Sequence, residues 1–236
     1  MVYSQAATQD TCQVTTPVSF GRLDRSAQAF GAIHLSRTYA GVVGRQTDLA
    51  FQREDEVIPA PLKLVRDFVN TVEYQEDDEG WEEPSDLGAW LAARELLDDK
   101  EGQANADDLA LAKIVREGLR SVLATHAGHD ADQSALRKLD DAVAGLPIRV
   151  SFGGASMFAI TADEGAGVQG ALASVLDAVR ASREDGTWQR LKVCDRVTCR
   201  WAYYDYSKNR SSRWCTMAGC GNAIKMQKAH ARRASA

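Results

Sequence analysis

Four cysteines near the C-terminal end have the type and spacing that hold a metal. Cys194 and Cys199 form one pair, Cys215 and Cys220 the other, each with four residues between its members. A close pair aims two sulfurs at one point. A short polar segment between two pairs lets both loops converge on a tetrahedral four-thiolate site, the arrangement of structural zinc. Thiolates alone do not separate zinc from iron, so on ligand type iron–sulfur binding stays open. The competing chemistry is a pair of disulfides. The chain opens without a basic segment followed by an apolar block, which points to a reducing cytoplasm and therefore to metal. A site with four thiolates leaves no position for water, so hydrolytic metal chemistry is not expected. Cys12 stands apart and reads as a spare reduced thiol.

The charges are polarised around the same segment. From position 190 onward there are eleven Lys and Arg against Asp195 and Asp205, a formal balance of +9 in a chain whose total is −5. Residues 1–189 therefore carry −14. A chain divided in this way suits a polyanion at one end and not at the other. The candidate phosphate contacts are Arg210 and Arg213 before the second cysteine pair, and Lys225, Lys228, Arg232 and Arg233 after it. Arg213 has the alternative of pairing with Asp205. Trp201, Tyr203 and Trp214 suit the small core of a metal module better than base stacking.

The elements that must position these residues follow from periodicity. A 236-residue chain that is 44% hydrophobic can build one substantial core and a small module beside it, and no run is long enough to span a membrane. Residues 1–57 keep neither apolar period and are expected to be a disordered extension. Pro61 opens a helix whose face holds Leu64, Val65, Phe68, Val69 and Val72. An acidic loop follows, Glu73 to Glu83, which reads as a solvated run. Ser85 is the expected N-cap of a helix carrying Leu87, Trp90, Leu91 and Leu97. Asn105 and Asp108 form a capping box for a long helix, Ala106 to about Thr125. Asp130 is expected to start another, carrying Leu136, Leu139 and Val143. Residues 147–162, with Gly153-Gly154 at the centre, read as a β-hairpin, and a last helix runs from about Val168 to Ser182. The fold class is α+β: a helix-rich domain with a small hairpin, residues 58–185, then a metal module, residues 186–236. In that module Trp201 to Tyr206 alternates as a hairpin after the first cysteine pair, and Asn222 to Arg233 forms a basic helix after the last ligand. This is a treble-clef-like unit.

Other chemistry is weakly represented. His126 and His129 with Asp130 would be a second metal group, but a helix end explains them better. There is no phosphate-cradling glycine loop and no nucleophile beside a base, so an enzyme is not expected.

The run CRWAYYDYSKNRSSRWCTMAGCGN resembles the CGNR zinc finger of bacterial proteins. LKLVRDFVNTV, the acidic loop and DLGAWLAARELL resemble the ABATE domain that precedes that finger. Together they cover about Pro61 to Arg233. The finger's pattern is met at Cys194, Cys199, Tyr203, Asp205, Ser207, Asn209, Arg213, Trp214, Cys215, Met217, Cys220, Gly221 and Asn222, and it is broken at Ala223, where the family has arginine. The resemblance implies a stress-induced transcriptional regulator with zinc as cofactor and DNA as partner, working in the cytoplasm. On that reading the helical domain receives a small-molecule or protein signal. A single finger is a small reader, which implies a homodimer or a further contact surface. The other reading is a protein-interaction scaffold in which the zinc module is purely structural.

Overall fold

The computed structural model describes residues 46–97, 103–152, 158–163 and 165–234. Most of residues 1–57, Cys12 included, and the Gly153-Gly154 turn lie outside them. The described residues are helix-rich with three small antiparallel hairpins. Their order is α1 (Gln46–Val57), α2 (Ala60–Val69), β1 (Val72–Glu73), β2 (Asp78–Glu79), α3 (Pro84–Ala92), α4 (Ala106–His126) and α5 (Gln133–Ala144). There follow β3 (Ile148–Ser151), β4 (Ala159–Ala162), α6 (Gly167–Glu184), a 3₁₀ turn (Trp188–Arg190), β5 (Leu191–Val193), β6 (Ala202–Tyr204), a π turn (Met217–Gly221) and α7 (Asn222–Ala234). None of the helices among the described residues is long and apolar enough to cross a membrane.

α2, α4 and α6 build the core. Leu62, Val65, Phe68 and Val69 of α2 meet Val115, Leu119 and Leu123 of α4 and Leu172 and Val175 of α6, all nearly inaccessible to water. Side chains at i, i+3 and i+4 share a helix face, so these spacings put one stripe of each helix inside. Phe68, Trp81 and Trp90 stack edge to face, with centroids 5.3 to 5.7 Å apart. Asn105 caps α4 as its sequence predicts, its Oδ1 accepting from the Asp107 and Asp108 amides. α5 lies along α4 because Gly118 has no side chain; a Cβ there would sit 2.5 Å from Leu139 Cβ.

Several expectations are corrected. α1 occupies the last twelve residues of the segment expected to be disordered. Its sequence has no apolar stripe because its main buried group is polar. Glu54 is 2% exposed, and its carboxylate accepts from Arg66 Nη1 at 2.8 Å and from the Tyr204 amide at 3.0 Å. Burial raises the Glu54 carboxyl above its usual value, and Arg66 only partly offsets this. The acidic loop is not simply solvated. It forms the β1–β2 hairpin, buries Glu73, and pairs Glu79 with Arg116 through two bonds of 2.7 Å. α3 starts one residue before Ser85, at Pro84 after an N-cap at Glu83, where proline's fixed φ and missing N–H suit the first turn. Asp132, not Asp130, caps α5, accepting from Ser134 N and Ala135 N.

The boundary at Asp185-Gly186 is a turn, with Gly186 at φ 74°, but it does not separate two cores. Trp188, Leu191, Val193, Ala202 and Tyr204 belong to the same buried cluster as α2 and α4. The finger hairpin therefore packs into the core of the helical body.

Candidate metal centre and nucleic-acid interface

β5 and β6 pair antiparallel, with Leu191 opposite Tyr204, Lys192 opposite Tyr203 and Val193 opposite Ala202. The expected hairpin thus straddles the first cysteine pair instead of following it: Cys194 and Cys199 sit in its loop. The loop is closed by bonds from Cys194 N to Trp201 O and from Cys199 N to Arg196 O. Arg200 adopts φ 53°, a left-handed conformation unusual for a side chain with a Cβ, and its carbonyl is held by Arg120 Nη1 at 2.8 Å. The second pair lies at the start of α7. Thr216 Oγ1 accepts from Gly219 N, and the Gly221 amide reaches back to Thr216 O, which winds Met217–Gly221 into the wide turn that carries Cys220. A Cβ at Gly221 would lie 2.6 Å from Met217 Sδ, so any larger residue there would have to displace the exposed Met217 side chain.

The four sulfurs converge. All lie within 4.8 Å of one another, and Cys215 is 3.8 Å from both Cys199 and Cys220. Tetrahedral zinc with bonds of about 2.3 Å demands sulfur separations of roughly 3.8 Å. A disulfide demands about 2.05 Å, and all four cysteines are free. Cys194, Cys199, Cys215 and Cys220 are therefore positioned to bind one metal ion, with three of the four buried. Thiols packed this closely cannot all ionise without a compensating positive charge. A cation bound at the centre would replace their protons. No other such group occurs among the described residues. His126 instead donates Nδ1–H to the Leu191 carbonyl at 2.7 Å, and burial lowers its pKa. His129 Nε2 lies 2.7 Å from Asp195.

The basic residues divide into two groups. Lys192 is 6% exposed and gives its ammonium to Asp205 at 2.8 Å. Burial alone would raise the Asp205 carboxyl, but Lys192, Ser207 and Ser212 hold it below its usual value. Arg190 donates to the Asp205 and Ser207 carbonyls, and Arg196 to Gln75 Oε1 at 2.7 Å. These three support the fold. Arg213 pairs with Asp195, at 2.6 Å, and not with Asp205. Arg210, Arg213, Lys225, Lys228, Arg232 and Arg233 are all exposed. α7 buries none of its residues; its half-buried positions are Ala223, Ile224 and Ala229, of which Ala223 lies opposite the Lys225, Lys228 and Arg232 face.

Spacing did not reveal what holds the metal module to the body. Asn70 bonds Ala202 twice, Glu54 accepts from Tyr204 N, and Arg120 reaches the carbonyls of Arg200 and Val69. Each is a polar residue in a helix or at its end, and nothing local marks it as a long-range partner.

Two family models match the chain. Residues 190–233 match that of the CGNR zinc finger. Residues 62–179, half of the 236, match the ABATE model, whose description reads "Putative stress-induced transcription regulator". A search of the curated proteins finds no match.

Proposed function

Since this chain belongs to the ABATE family and ends in a CGNR zinc finger, we propose that it is a cytoplasmic DNA-binding transcription regulator in which zinc fixes the finger and the helical body receives the signal. The observation that carries the reading is α7. It has no acidic residue, buries no side chain, and projects Lys225, Lys228 and Arg232 from one face. At 1.5 Å per residue those three span about 10 Å, enough to follow a phosphate backbone. Arg210 and Arg213 flank the same metal centre. Zinc suits the sulfur spacing, and with all four positions taken by thiolate its role is structural. One short helix reads few base pairs, so two copies acting together belong to this reading.

The test uses the zinc-loaded full chain and fluorescently labelled duplexes of unrelated sequence, titrated at two salt concentrations. Wild type binds with a steep salt dependence. Replacing Lys228, Arg232 and Arg233 with alanine weakens every duplex alike and reduces the slope of log K against log salt by about 2 to 3. If the variant keeps its zinc and binds as wild type does with an unchanged slope, the reading fails.

A second reading has its own support. The finger hairpin shares the core of the helical body, as a brace would. A scaffold of that kind shows no salt-dependent affinity for duplex DNA.

A further inference from the structure

α4, α5 and the first cysteine loop enclose a cleft of 620 Å³, inside the range of small-molecule sites. Ile114, Ala124 and Ala135 form its helical walls, and Val193 and Val197 form the wall contributed by the finger. Val197 is 85% exposed at the lip.

The charges lining the cleft are unequally engaged. Glu117 is held by Arg116 at 2.9 Å, Arg120 at 3.1 Å and the Tyr74 hydroxyl at 2.7 Å. Asp132 caps α5, and Asp195 lies between His129 and Arg213. Lys113 has Glu79 at 3.6 Å. Arg200 and Lys138 form no direct ion pair among the described residues; the cap carboxylate of Asp132 feels both, and they help hold it below its usual value. The Tyr74 ring carries two guanidiniums, Arg200 at 4.6 Å and Arg120 at 4.9 Å from its centre, which holds Arg200 at the cleft without neutralising it. Asp130 is the one lining carboxylate outside such a pairing.

We propose that this cleft binds a small organic anion with an apolar body, its charged group drawn to Arg200 and Lys138 and its body against Ile114, Ala135 and Val197. The occupant touches the helical body and the finger together. It also meets Arg200, whose carbonyl is anchored by Arg120 one residue beyond a metal ligand. It is a place where the signal of the proposed regulator enters. That link rests on the regulator reading, whereas occupancy of the cleft does not.

The test therefore uses no DNA. The zinc-loaded full chain is titrated with 8-anilinonaphthalene-1-sulfonate, and with N-phenyl-1-naphthylamine as its neutral counterpart, each followed by fluorescence. The sulfonate binds saturably at one site per chain, and the neutral probe binds about tenfold or more weaker. Arg200→Gln with Lys138→Gln removes that preference. Ala135→Trp fills the cleft and abolishes binding of both. Zinc content and circular dichroism verify that each variant is folded, and the charge variant carries the test alone if the tryptophan variant does not fold. Sulfonate affinity unchanged in the charge variant, equal affinity for the two probes, or no saturable binding overturns the proposal. So does loss of binding on replacing Lys228, Arg232 and Arg233, because the probe would then be reading α7.

Discussion

The side chain of Asn70 pairs with the backbone of Ala202 as a neighbouring strand would: Nδ2 donates to the Ala202 carbonyl at 2.8 Å, and the Ala202 amide donates to Oδ1 at 2.8 Å. One amide at the end of α2 thus completes an edge of the two-stranded finger sheet, 132 residues away in sequence. Ala202 is fully buried, so water cannot replace either bond.

Asn70→Ala leaves both groups unpaired and is expected to cost about 2 to 4 kcal/mol. Asn70→Asp keeps the acceptor but sets a carboxylate oxygen against the Ala202 carbonyl, and should be at least as damaging at neutral pH. Urea unfolding of zinc-loaded protein measures both. Because the finger hairpin lies in the shared core, the loss should appear in the main transition. A transition that keeps its midpoint would show that this pairing does not join the two parts.

The contrast with the cysteines explains what could be read from the sequence. Cys194, Cys199, Cys215 and Cys220 declare themselves by type and spacing, because a metal imposes local loop geometry. The faces of α2, α4 and α6 are legible because a helix repeats its contacts every three or four residues. Asn105 and Asp108 are legible because a cap is local. Glu54, Asn70 and Arg120 carry no such signal, since their partners at Tyr204, Ala202 and Arg200 are chosen by the tertiary fold. α1 is hidden in the sequence for the same reason, and nothing local marks Lys192, in the middle of β5, as a residue buried beside Asp205.

The Glu79–Arg116 pair gives a pH prediction. Burial would raise the Glu79 carboxyl, but the two bonds from Arg116 overcome that and hold it below its usual value. A depressed folded value stabilises above the ordinary carboxyl pKa, and that stability is lost as pH falls through the folded value. Glu79→Gln sets an amide against a guanidinium that is 5% exposed, and should cost about 2 kcal/mol at pH 7. The gap between wild type and variant should stay constant above about pH 5 and shrink below about pH 4. A gap that is the same at pH 7 and at pH 3.5, in parallel denaturant titrations, would assign the loss to packing and not to charge.

Metal removal should reach beyond the finger. Purified protein is expected to hold one zinc per chain, measured by elemental analysis. Cys215→Ser should lose the metal and make residues 190–233 sensitive to protease, since metal binding supplies on the order of 10–16 kcal/mol to such modules. Leu191, Val193 and Ala202 lie in the shared core, so the thermal midpoint of the whole chain should fall as well. Metal-free protein with a protease-resistant C-terminal segment would contradict the assignment of the four thiolates.

Ala223 stands where the family has arginine, and the course of α7 decides what restoring it should do. At about 100° per residue, position 223 lies roughly 160° from Lys225, and Ala223 is itself half-buried, in the first turn after Cys220. Lys225, Lys228 and Arg232 occupy the other side. An arginine at 223 would therefore extend toward the finger and its metal loops, away from a phosphate backbone tracked by those three. Ala223→Arg is expected to keep its zinc and to leave the salt dependence of duplex binding as it is in wild type. Its effect should instead be on stability, as a modest change in the unfolding midpoint in either direction. Titrating both proteins against one duplex at several salt concentrations checks this. A slope steeper by about 0.9, the value of one added phosphate contact, would mean that the arginine reaches DNA and that α7 docks on a different face.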